Sequence, residues 1–234
     1  MTAQRSMRGD VAVLVPAAGS GVRMGPGAPK ALRHLRGEPL LVHALRRVCA
    51  AASVAHVVVA SPAESVDSCT ALLAEFGPIV TIVAGGDSRQ ASVAAALAAA
   101  PDHLEIVLVH DAARALAPAS LVEAVAEAVR SGHDAVVPAL PVVDTIKQVS
   151  PDGRVVATID RSQLRAIQTP QGFRRSVLTN AHVLAADDLT DDAGLVERMG
   201  ADVWCIPGDP AAMKITQPFD LAVASLLLGS GQSD

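Results

Sequence analysis

The sequence predicts an α/β fold in which a mostly parallel, twisted sheet is flanked by helices on both faces. Short runs rich in Val and Ile recur along the chain, as buried parallel strands require. Segments with apolar residues at helical spacing separate most of these runs, which is typical of strand–helix–strand crossovers. Hydrophobic residues make up 50% of the 234 positions, enough for one large core. We therefore expect a single domain over residues 1–234.

The predicted strands and helices alternate along most of the chain. Predicted strands lie at residues 11–15, 54–60, 79–83, 106–109, 135–137 and 203–206. Predicted helices lie at residues 39–52, 63–76, 88–100, 118–131, 173–185 and 218–228. Several of these helices begin with Ser or Pro, residues that suit a helix cap or a first helical turn.

The alternation is interrupted after Pro141, where two short strands flank a tight turn. The turn has the sequence Pro-Asp-Gly at 151–153, in which Pro presets one dihedral angle and Gly accepts a positive φ. We predict a protruding β-hairpin arm over residues 142–166. Because a hairpin alone is only marginally stable, a second copy of the chain is its expected partner.

Composition and charge argue against several classes of partner. The net charge is −5 and only 2% of residues are aromatic, so the chain offers neither a basic stripe nor a stacking surface for nucleic acid. No apolar stretch reaches the roughly 18 residues that a membrane span needs. Three cysteines, odd in number and outside metal-binding spacings, suit a reducing compartment. We expect a cytoplasmic protein with no nucleic-acid and no membrane partner.

A glycine-rich segment, PAAGSGVRMG at 16–25, follows the first strand directly. Small residues there let backbone N–H groups approach phosphates closely. The glycine spacing is not that of a dinucleotide-binding loop, and Lys30 lacks the neighbours of a Walker loop. Considered by themselves, the glycines would also fit an ordinary turn beside solvated cations. The downstream residues favour a phosphate-binding loop with two fixed cations, Arg23 and Lys30.

Seven sequence blocks resemble, in the same order, the 2-C-methyl-D-erythritol 4-phosphate cytidylyltransferases of the non-mevalonate isoprenoid pathway. They are residues 16–24 with Pro29-Lys30, GGDSR at 85–89, HDAAR at 110–114, DTIK at 144–147, QTPQ at 168–171, TDDA at 190–193 and KIT at 214–216. The resemblance implies a Rossmann-like nucleotidyltransferase fold and an enzyme that transfers CMP from CTP to a sugar-alcohol phosphate. It also implies Mg²⁺ or another divalent cation as cofactor, and a homodimer joined through the hairpin arm.

The resemblance also implies a role for each candidate site residue. The catalytic cations are Arg23, Lys30 and Lys214, which would stabilise the charge that builds on the α-phosphorus. The nucleotide-binding residues are Pro16, Ala17, Ala18, Gly19, Gly21, Gly86, Asp87, Ser92, Asp111 and Ala112. The residues that hold the acceptor are Arg114, Thr145, Arg161 and Lys214, with Arg161 supplied by the arm of the partner subunit. Asp111 is also the metal ligand.

Simpler interpretations stay open for several of these residues. Asp111 could cap a helix or pair with Arg114, Asp87 could be a helix cap, Arg161 could be a solvated surface residue, and Asp191-Asp192 could begin a capped helix. His110 is interpreted as structural. The attacking phosphate monoester is largely ionised near neutral pH, its second pKa being about 6, so an activating histidine is not required.

Four rival interpretations remain. One is a purely structural dimer built by the hairpin, which would explain the arm but not the glycine-rich loop. Ribitol-5-phosphate cytidylyltransferases share the loop and two of the later blocks, although Ala17-Ala18 and Ala112-Ala113 favour the methylerythritol enzymes. A nucleotidyltransferase that uses UTP, GTP or ATP would need the same cations with other base contacts. A non-catalytic nucleotide-binding module would be expected to have lost at least one of the predicted charged residues, and the sequence retains them all.

Overall fold

The structure is a computed structural model that describes residues 9–19, 29–185 and 189–230. The strands are β1 (Val11–Pro16), β2 (His34–Leu35), β3 (Glu38–Pro39), β4 (Val54–Ser61), β5 (Val80–Ala84), β6 (Ile106–Val109), β7 (Ala135–Pro141), β8 (Ile146–Val149), β9 (Val155–Ile159), β10 (Arg165–Ile167), β11 (Gln171–Arg174) and β12 (Val203–Pro207). The helices are α1 (Leu40–Cys49), α2 (Val66–Leu72), α3 (Arg89–Ala99), α4 (Ala119–Arg130), α5 (Arg175–Leu184), α6 (Asp192–Arg198) and α7 (Pro218–Ser230).

Eight of these strands form one central sheet, in the order β5-β4-β1-β6-β11-β7, with β10 and β12 also paired to β7. β10 and β11 pair antiparallel with their neighbours, and the remaining pairs in this sheet are parallel. The predicted mostly parallel α/β fold is therefore confirmed. The strand order reverses between β1 and β6, and open α/β sheets bind ligands at such a point.

The helices cover both faces of the sheet, and β1 shows how the sequence achieves this. Val11, Val13 and Val15 pack into the cluster that contains α1 and α4. Ala12 and Leu14 pack into the opposite cluster, with α3, α5 and α6. Successive side chains of a strand point to opposite faces, so a run of apolar residues is buried on both. Full burial of each Val or Leu contributes about 1.5–3 kcal/mol.

Two predicted helices have other bounds in the structure, one because of a local break in the helix and one because of a strand. The predicted helix at 63–76 is divided into a 3₁₀ turn at Ala63–Ser65, α2 and a 3₁₀ segment at Ala74–Ile79. Gly77 has a φ of 62° and is followed by a proline, which together end the helical geometry. The predicted helix at 173–185 begins at residue 175, because the preceding residues form β11.

The predicted hairpin is present, with β8 and β9 paired antiparallel around the 151–153 turn. Its first strand begins at Ile146, so residues 142–145 of the predicted arm precede β8. Within the described residues β8 and β9 pair only with each other, and Val149, Val155 and Val156 are each 56% exposed. The hairpin's role in dimerisation stays a prediction.

The last helix, α7, carries exposed apolar side chains, with Phe219 and Leu226 each 74% exposed. It has 13 residues, about 20 Å at 1.5 Å per residue. Across the described ranges, no helix combines the length and apolar character that crossing a lipid bilayer requires.

Candidate active site

A pocket of about 280 Å³ opens at the carboxyl ends of β1, β5 and β6. The segment after β1 forms one side, the loop from β5 into α3 forms another, and the residues after β6 form the floor. The pocket is lined by Pro16, Ala17, Ala18, Gly19, Lys30, Ala31, Gly86, Asp87, Ser88, Arg89, Ser92, Asp111, Ala112, Ala113 and Lys214. It therefore lies where the strand order reverses, as expected for a ligand site in an open sheet.

Most of the predicted site residues meet in this pocket, although their roles stay predictions. The structure brings together Pro16, Ala17, Ala18, Gly19, Lys30, Gly86, Asp87, Ser92, Asp111, Ala112 and Lys214. Arg23 and Gly21 lie outside the described residues. Arg114, Thr145 and Arg161 do not line the pocket.

The three residues outside the pocket are held elsewhere in the fold. The guanidinium of Arg114 donates to the carbonyls of Ala212 and Ile167, at 2.7 and 2.9 Å. Thr145 and Arg161 are exposed on the hairpin arm, where Arg161 donates to a carbonyl of the same arm. Within one subunit, the described residues that line the pocket therefore include neither Thr145 nor Arg161.

The loop after β5 approaches the β1 segment closely. A Cβ on Gly85 would lie 2.8 Å from Ser92 Oγ and 2.9 Å from Ala18 Cβ. A Cβ on Gly86 would lie 2.5 Å from that of Ala91. Both positions therefore require glycine for the backbones to come this close.

Ser92 is 1% exposed, and its hydroxyl is occupied by the loop itself. Its Oγ accepts the N–H of Gly86 at 3.2 Å and lies 2.9 Å from the carbonyl of Ser88. Ser88 caps α3 by accepting the N–H of Ala91 at 3.1 Å. The alternative in which Asp87 caps this helix is therefore wrong, and the Asp87 side chain is available to the pocket.

Asp111 lies on the floor of the pocket between two cations. Lys214 Nζ is 2.6 Å from one of its carboxylate oxygens, and Arg89 Nε is 3.3 Å from the other. The proposed pairing of Asp111 with Arg114 is wrong, since Arg114 donates to backbone carbonyls. Burial alone would raise the pKa of Asp111, but Arg89 and Lys214 lower it far below its usual range. The carboxylate is therefore ionised at every physiological pH.

Arg89 is a site residue that the sequence interpretation missed, although it ends the quoted GGDSR block. It begins α3, where the helix dipole disfavours a positive charge. Besides Asp111 it pairs with Asp192, at 2.6 Å. A cation at a helix N-terminus was the available signal, because such a residue needs nearby carboxylates to be stable.

Short hydrogen bonds fix the segment that carries Lys214. The N–H of Ile215 donates to the carbonyl of Ala113 at 2.8 Å, which ties this segment to the residues after β6. One carboxylate oxygen of Asp220 accepts from the N–H and hydroxyl of Thr216 and the N–H of Gln217. Lys214 is thus presented from an anchored backbone.

The QTPQ block supports the floor of the pocket from below. The Thr169 hydroxyl accepts the N–H of Asp111 at 3.0 Å and lies 3.2 Å from His110 Nδ1. The amide of Gln168 makes two bonds to the backbone of Asp209, at 2.8 and 3.0 Å. His110 is 1% exposed, and burial lowers its pKa to about 4. It is neutral at pH 7, in keeping with a structural residue.

Comparison with known proteins shows what this chain resembles. The sequence profile of the family described as 2-C-methyl-D-erythritol 4-phosphate cytidylyltransferase matches residues 11–230. A protein of that name from Saccharopolyspora erythraea is 54% identical over 222 residues, which cover 93% of this chain and 99% of the relative. Another from Streptomyces avermitilis is 51% identical over 227 residues, which cover 93% and 91%.

A solved structure agrees with these sequence relatives. The crystal structure of 2-C-methyl-D-erythritol 4-phosphate cytidylyltransferase from Thermus thermophilus superposes with a TM-score of 0.75 at 38% identity, covering 93% of this chain and 98% of that one. The family match at residues 11–230 includes every residue that lines the pocket. The chain belongs to the 2-C-methyl-D-erythritol 4-phosphate cytidylyltransferase family.

Proposed function

We infer that this protein transfers the cytidylyl group of CTP to 2-C-methyl-D-erythritol 4-phosphate, giving 4-diphosphocytidyl-2-C-methyl-D-erythritol and pyrophosphate. One observation carries the inference. In a chain of this family, Lys30, Lys214 and the buried carboxylate of Asp111 face one pocket beside two close-packed loops rich in small residues. That arrangement suits a triphosphate bound next to a second anion.

The reaction needs positive charge more than it needs a base. An oxygen of the acceptor phosphate forms a bond to the α-phosphorus of CTP, and the bond from that phosphorus to the bridging oxygen of the β-phosphate breaks. The electron pair leaves with pyrophosphate. Two anions meet and charge builds on the phosphoryl oxygens, where Lys30 and Lys214 would stabilise it. His110 is buried and bonded to Thr169, so it is not placed to act as a base.

Asp111 gives Lys214 its direction. A lysine side chain has many rotamers, and the 2.6 Å contact with Asp111 selects one that keeps Nζ at the pocket floor. Such preorganisation lowers the reorganisation needed when the phosphates bind. The same carboxylate retains lone pairs that could accept from a ribose hydroxyl.

We propose Mg²⁺ or a similar divalent cation as cofactor. Among the described residues, no group of three or more His, Cys, Asp or Glu side chains could hold a metal ion. Mg²⁺ typically uses one or two carboxylates together with phosphate oxygens and water, so Asp111 with the CTP phosphates fits its chemistry. When bound, the cation would neutralise charge on those phosphates. We expect EDTA to abolish turnover and Mg²⁺ to restore it.

The cytosine base is proposed to lie against the loop from Gly86 to Ser92. To distinguish cytosine from uracil, a site must offer an acceptor to the exocyclic amino group. The Ser92 hydroxyl fixes the backbone of this loop, so its carbonyls would hold constant positions. Asp87 could provide a further acceptor.

A second copy of the chain is proposed to complete the acceptor site. The arm carries Thr145 and Arg161 outside the pocket of its own subunit, together with three half-exposed valines. Exposed apolar patches on a protruding hairpin call for a covering surface. In a homodimer each arm would bring Thr145 and Arg161 to the pocket of the partner subunit.

A cytoplasmic location is the accompanying proposal. Cys49, Cys69 and Cys205 are all free thiols, which suits a reducing compartment. Cell fractionation with an antibody would test it, and recovery in a membrane or secreted fraction would contradict it.

The decisive experiment measures pyrophosphate release by the purified protein with CTP and Mg²⁺. Methylerythritol 4-phosphate and ribitol 5-phosphate are offered separately, and UTP, GTP and ATP replace CTP as controls. We expect release with CTP and methylerythritol 4-phosphate. Release with ribitol 5-phosphate alone, or with another nucleotide alone, would assign a rival function. If no combination of nucleotide and acceptor releases pyrophosphate, the inference is refuted.

A further inference from the structure

A chain of charged groups continues from the pocket into the fold behind it. Arg89 Nη1 lies 2.6 Å from Asp192 Oδ2, and His182 Nε2 lies 3.0 Å from Asp192 Oδ1. On its other side, Arg89 reaches Asp111, which in turn holds Lys214. The order is therefore Lys214, Asp111, Arg89, Asp192 and His182. The last two, which we call the outer pair, do not line the pocket.

Burial separates the outer pair from solvent and from substrate. The side chains of Asp192 and His182 are 1% and 7% exposed, against 26% for Arg89 and 39% for Lys214. A carboxylate that is almost fully buried is costly unless a cation and hydrogen bonds compensate it. Arg89 provides the cation, and Arg89 and His182 provide the hydrogen bonds. Each carboxylate oxygen of Asp192 is therefore bonded to one of these two side chains.

We propose that Asp192 and His182 are positioning residues that hold Arg89 beside Asp111 and thereby leave Lys214 aimed at the phosphates. This proposal rests on the proposed function.

The position of Arg89 in its own helix is electrostatically unfavourable. The residue occupies the first position of an 11-residue helix, where the helix dipole disfavours a cation. Its side chain is kept there by carboxylates on other elements. Of the two, Asp192 makes the shorter contact, 2.6 Å against 3.3 Å for Asp111. Asp192 is therefore the main anchor of Arg89.

The charge balance around Asp111 depends on that anchor. Two cations, Arg89 and Lys214, share the single carboxylate of Asp111. Because Asp192 neutralises Arg89, one carboxylate oxygen of Asp111 is left to pair with Lys214 only. Without the negative charge of Asp192, Arg89 would pair with both carboxylate oxygens of Asp111. Lys214 would then lose the ion pair that orients it.

His182 and the start of α6 fix the orientation of Asp192. A carboxylate can only accept, so His182 Nε2 carries the proton of their 3.0 Å bond. The neighbouring residues are held by Gln171, whose amide donates to Asp191 at 2.8 Å and accepts the N–H of Ala193 at 3.2 Å. With one oxygen bonded to His182, the other oxygen of Asp192 faces Arg89.

A double-mutant cycle tests whether Asp192 acts through Arg89. The variants are Asp192→Asn, Arg89→Gln and the two combined, and each is assayed for kcat and for KM of CTP. We expect Asp192→Asn to lower kcat/KM by about tenfold, and to have little further effect once Arg89 is glutamine, because coupled neighbours are not additive. If Asp192 affects catalysis by a route that does not pass through Arg89, the two losses multiply. Multiplying losses would overturn the proposal.

Variants of His182 test the same proposal without changing the buried carboxylate of Asp192. His182→Gln keeps a donor and should retain activity within about threefold, whereas His182→Leu should lose about as much as Asp192→Asn. If Asp192→Asn does not fold, His182→Leu replaces it in the cycle with Arg89→Gln. Equal losses from His182→Leu in both Arg89 backgrounds would likewise overturn the proposal.

A matched control and the wild-type rate keep the two hypotheses apart. Asp10→Asn also removes a carboxylate from an arginine pair, the 2.7 Å contact with Arg130, far from the pocket, and should leave kcat/KM unchanged. If the wild type itself releases no pyrophosphate, the proposed function fails. If the wild type is active and the cycle is additive, only the positioning role fails.

Discussion

Asp111 shows how a single residue sets the electrostatics of the pocket. It is 9% exposed, and a carboxylate so buried would tend to be neutral without nearby cations. Arg89 and Lys214 reverse that tendency and lower its pKa. The sequence identified Asp111 and Lys214 from their blocks. It did not identify Arg89, because its two partners, Asp111 and Asp192, lie on separate elements and are not visible as a spacing.

Removal of either pocket lysine should reduce catalysis without unfolding the protein. Lys30→Ala and Lys214→Ala should each lower kcat/KM by about 2–4 kcal/mol of transition-state stabilisation. The side chain of Lys214 is 39% exposed, so little packing is lost. Steady-state kinetics, with circular dichroism to check the fold, would measure this.

Arg174→Ala is the control for the lysine variants. It removes an exposed cation that pairs with Asp134 at 3.0 Å, outside the pocket. Its rate should match that of the wild type. Near-normal turnover in either lysine variant would refute the proposed role of these cations.

His110 should make the stability of the protein depend on pH. Burial lowers its pKa to about 4, whereas the unfolded chain has about 6.5. The unfolded state binds the proton more readily, so stability is complete above pH 6.5 and falls as the pH falls towards 4. Between pH 7.5 and pH 5 this one group should cost about 2 kcal/mol of unfolding free energy.

Urea unfolding of the wild type and of His110→Gln at the two pH values measures the effect. Glutamine can still bond to Thr169, and the other titrating groups are common to both proteins. The variant should therefore lose about 2 kcal/mol less than the wild type between pH 7.5 and pH 5. The same loss in both proteins would show that His110 does not cause it.

Among the elements, those with a clear period were predicted from sequence and those set by long-range pairing were not. The Val-rich strands and α1, α3 and α4 were predicted to within a few residues. β11 has four residues, too few to show a period, and its partners β6 and β7 are distant in sequence. Its strand conformation is set by pairing with β6 on one side and β7 on the other. The helix prediction that began at residue 173 therefore overlapped a strand.

The loop between β5 and α3 should be sensitive to a single methyl group. In Gly85→Ala the new Cβ would lie under 3.0 Å from both Ser92 Oγ and Ala18 Cβ. Overpacking of this kind costs about 1–3 kcal/mol, and here it would push apart the two loops that line the pocket. We expect a lower melting temperature and a raised KM for CTP.

Gly172→Ala is the matched control for the loop. Its Cβ would meet Val125 Cγ1 at 2.5 Å and Leu108 Cδ2 at 3.0 Å, in the core below α4. It should lose stability in the same way while KM for CTP stays constant in the folded protein. If Gly85→Ala leaves KM unchanged as well, the two loops do not need their close contact to bind the nucleotide.

The molecule as a whole is proposed to work as a dimer with shared sites, and subunit mixing can test this. Arg161→Ala and Lys214→Ala should each be nearly inactive alone. After random subunit exchange half of the dimers are mixed, and each mixed dimer has one site with both residues intact. Activity should return to about a quarter of the wild-type level.

Two different variants of the same pocket provide the control for mixing. Lys30→Ala and Lys214→Ala alter residues of the same pocket, so their mixed dimers contain no intact site and should stay inactive. Failure of the Arg161 and Lys214 variants to complement, although size analysis shows mixed dimers, would exclude a shared site.

The late arrival of β11 has a consequence for synthesis on the ribosome. β6 and β7 emerge long before the residues that must lie between them, and the whole arm is made in the interval. Until Gln171–Arg174 leaves the exit tunnel, both strands expose unpaired backbone edges, which are templates for aggregation. A pause in translation between residues 141 and 174 would therefore prolong the exposure of the edges that β11 later covers.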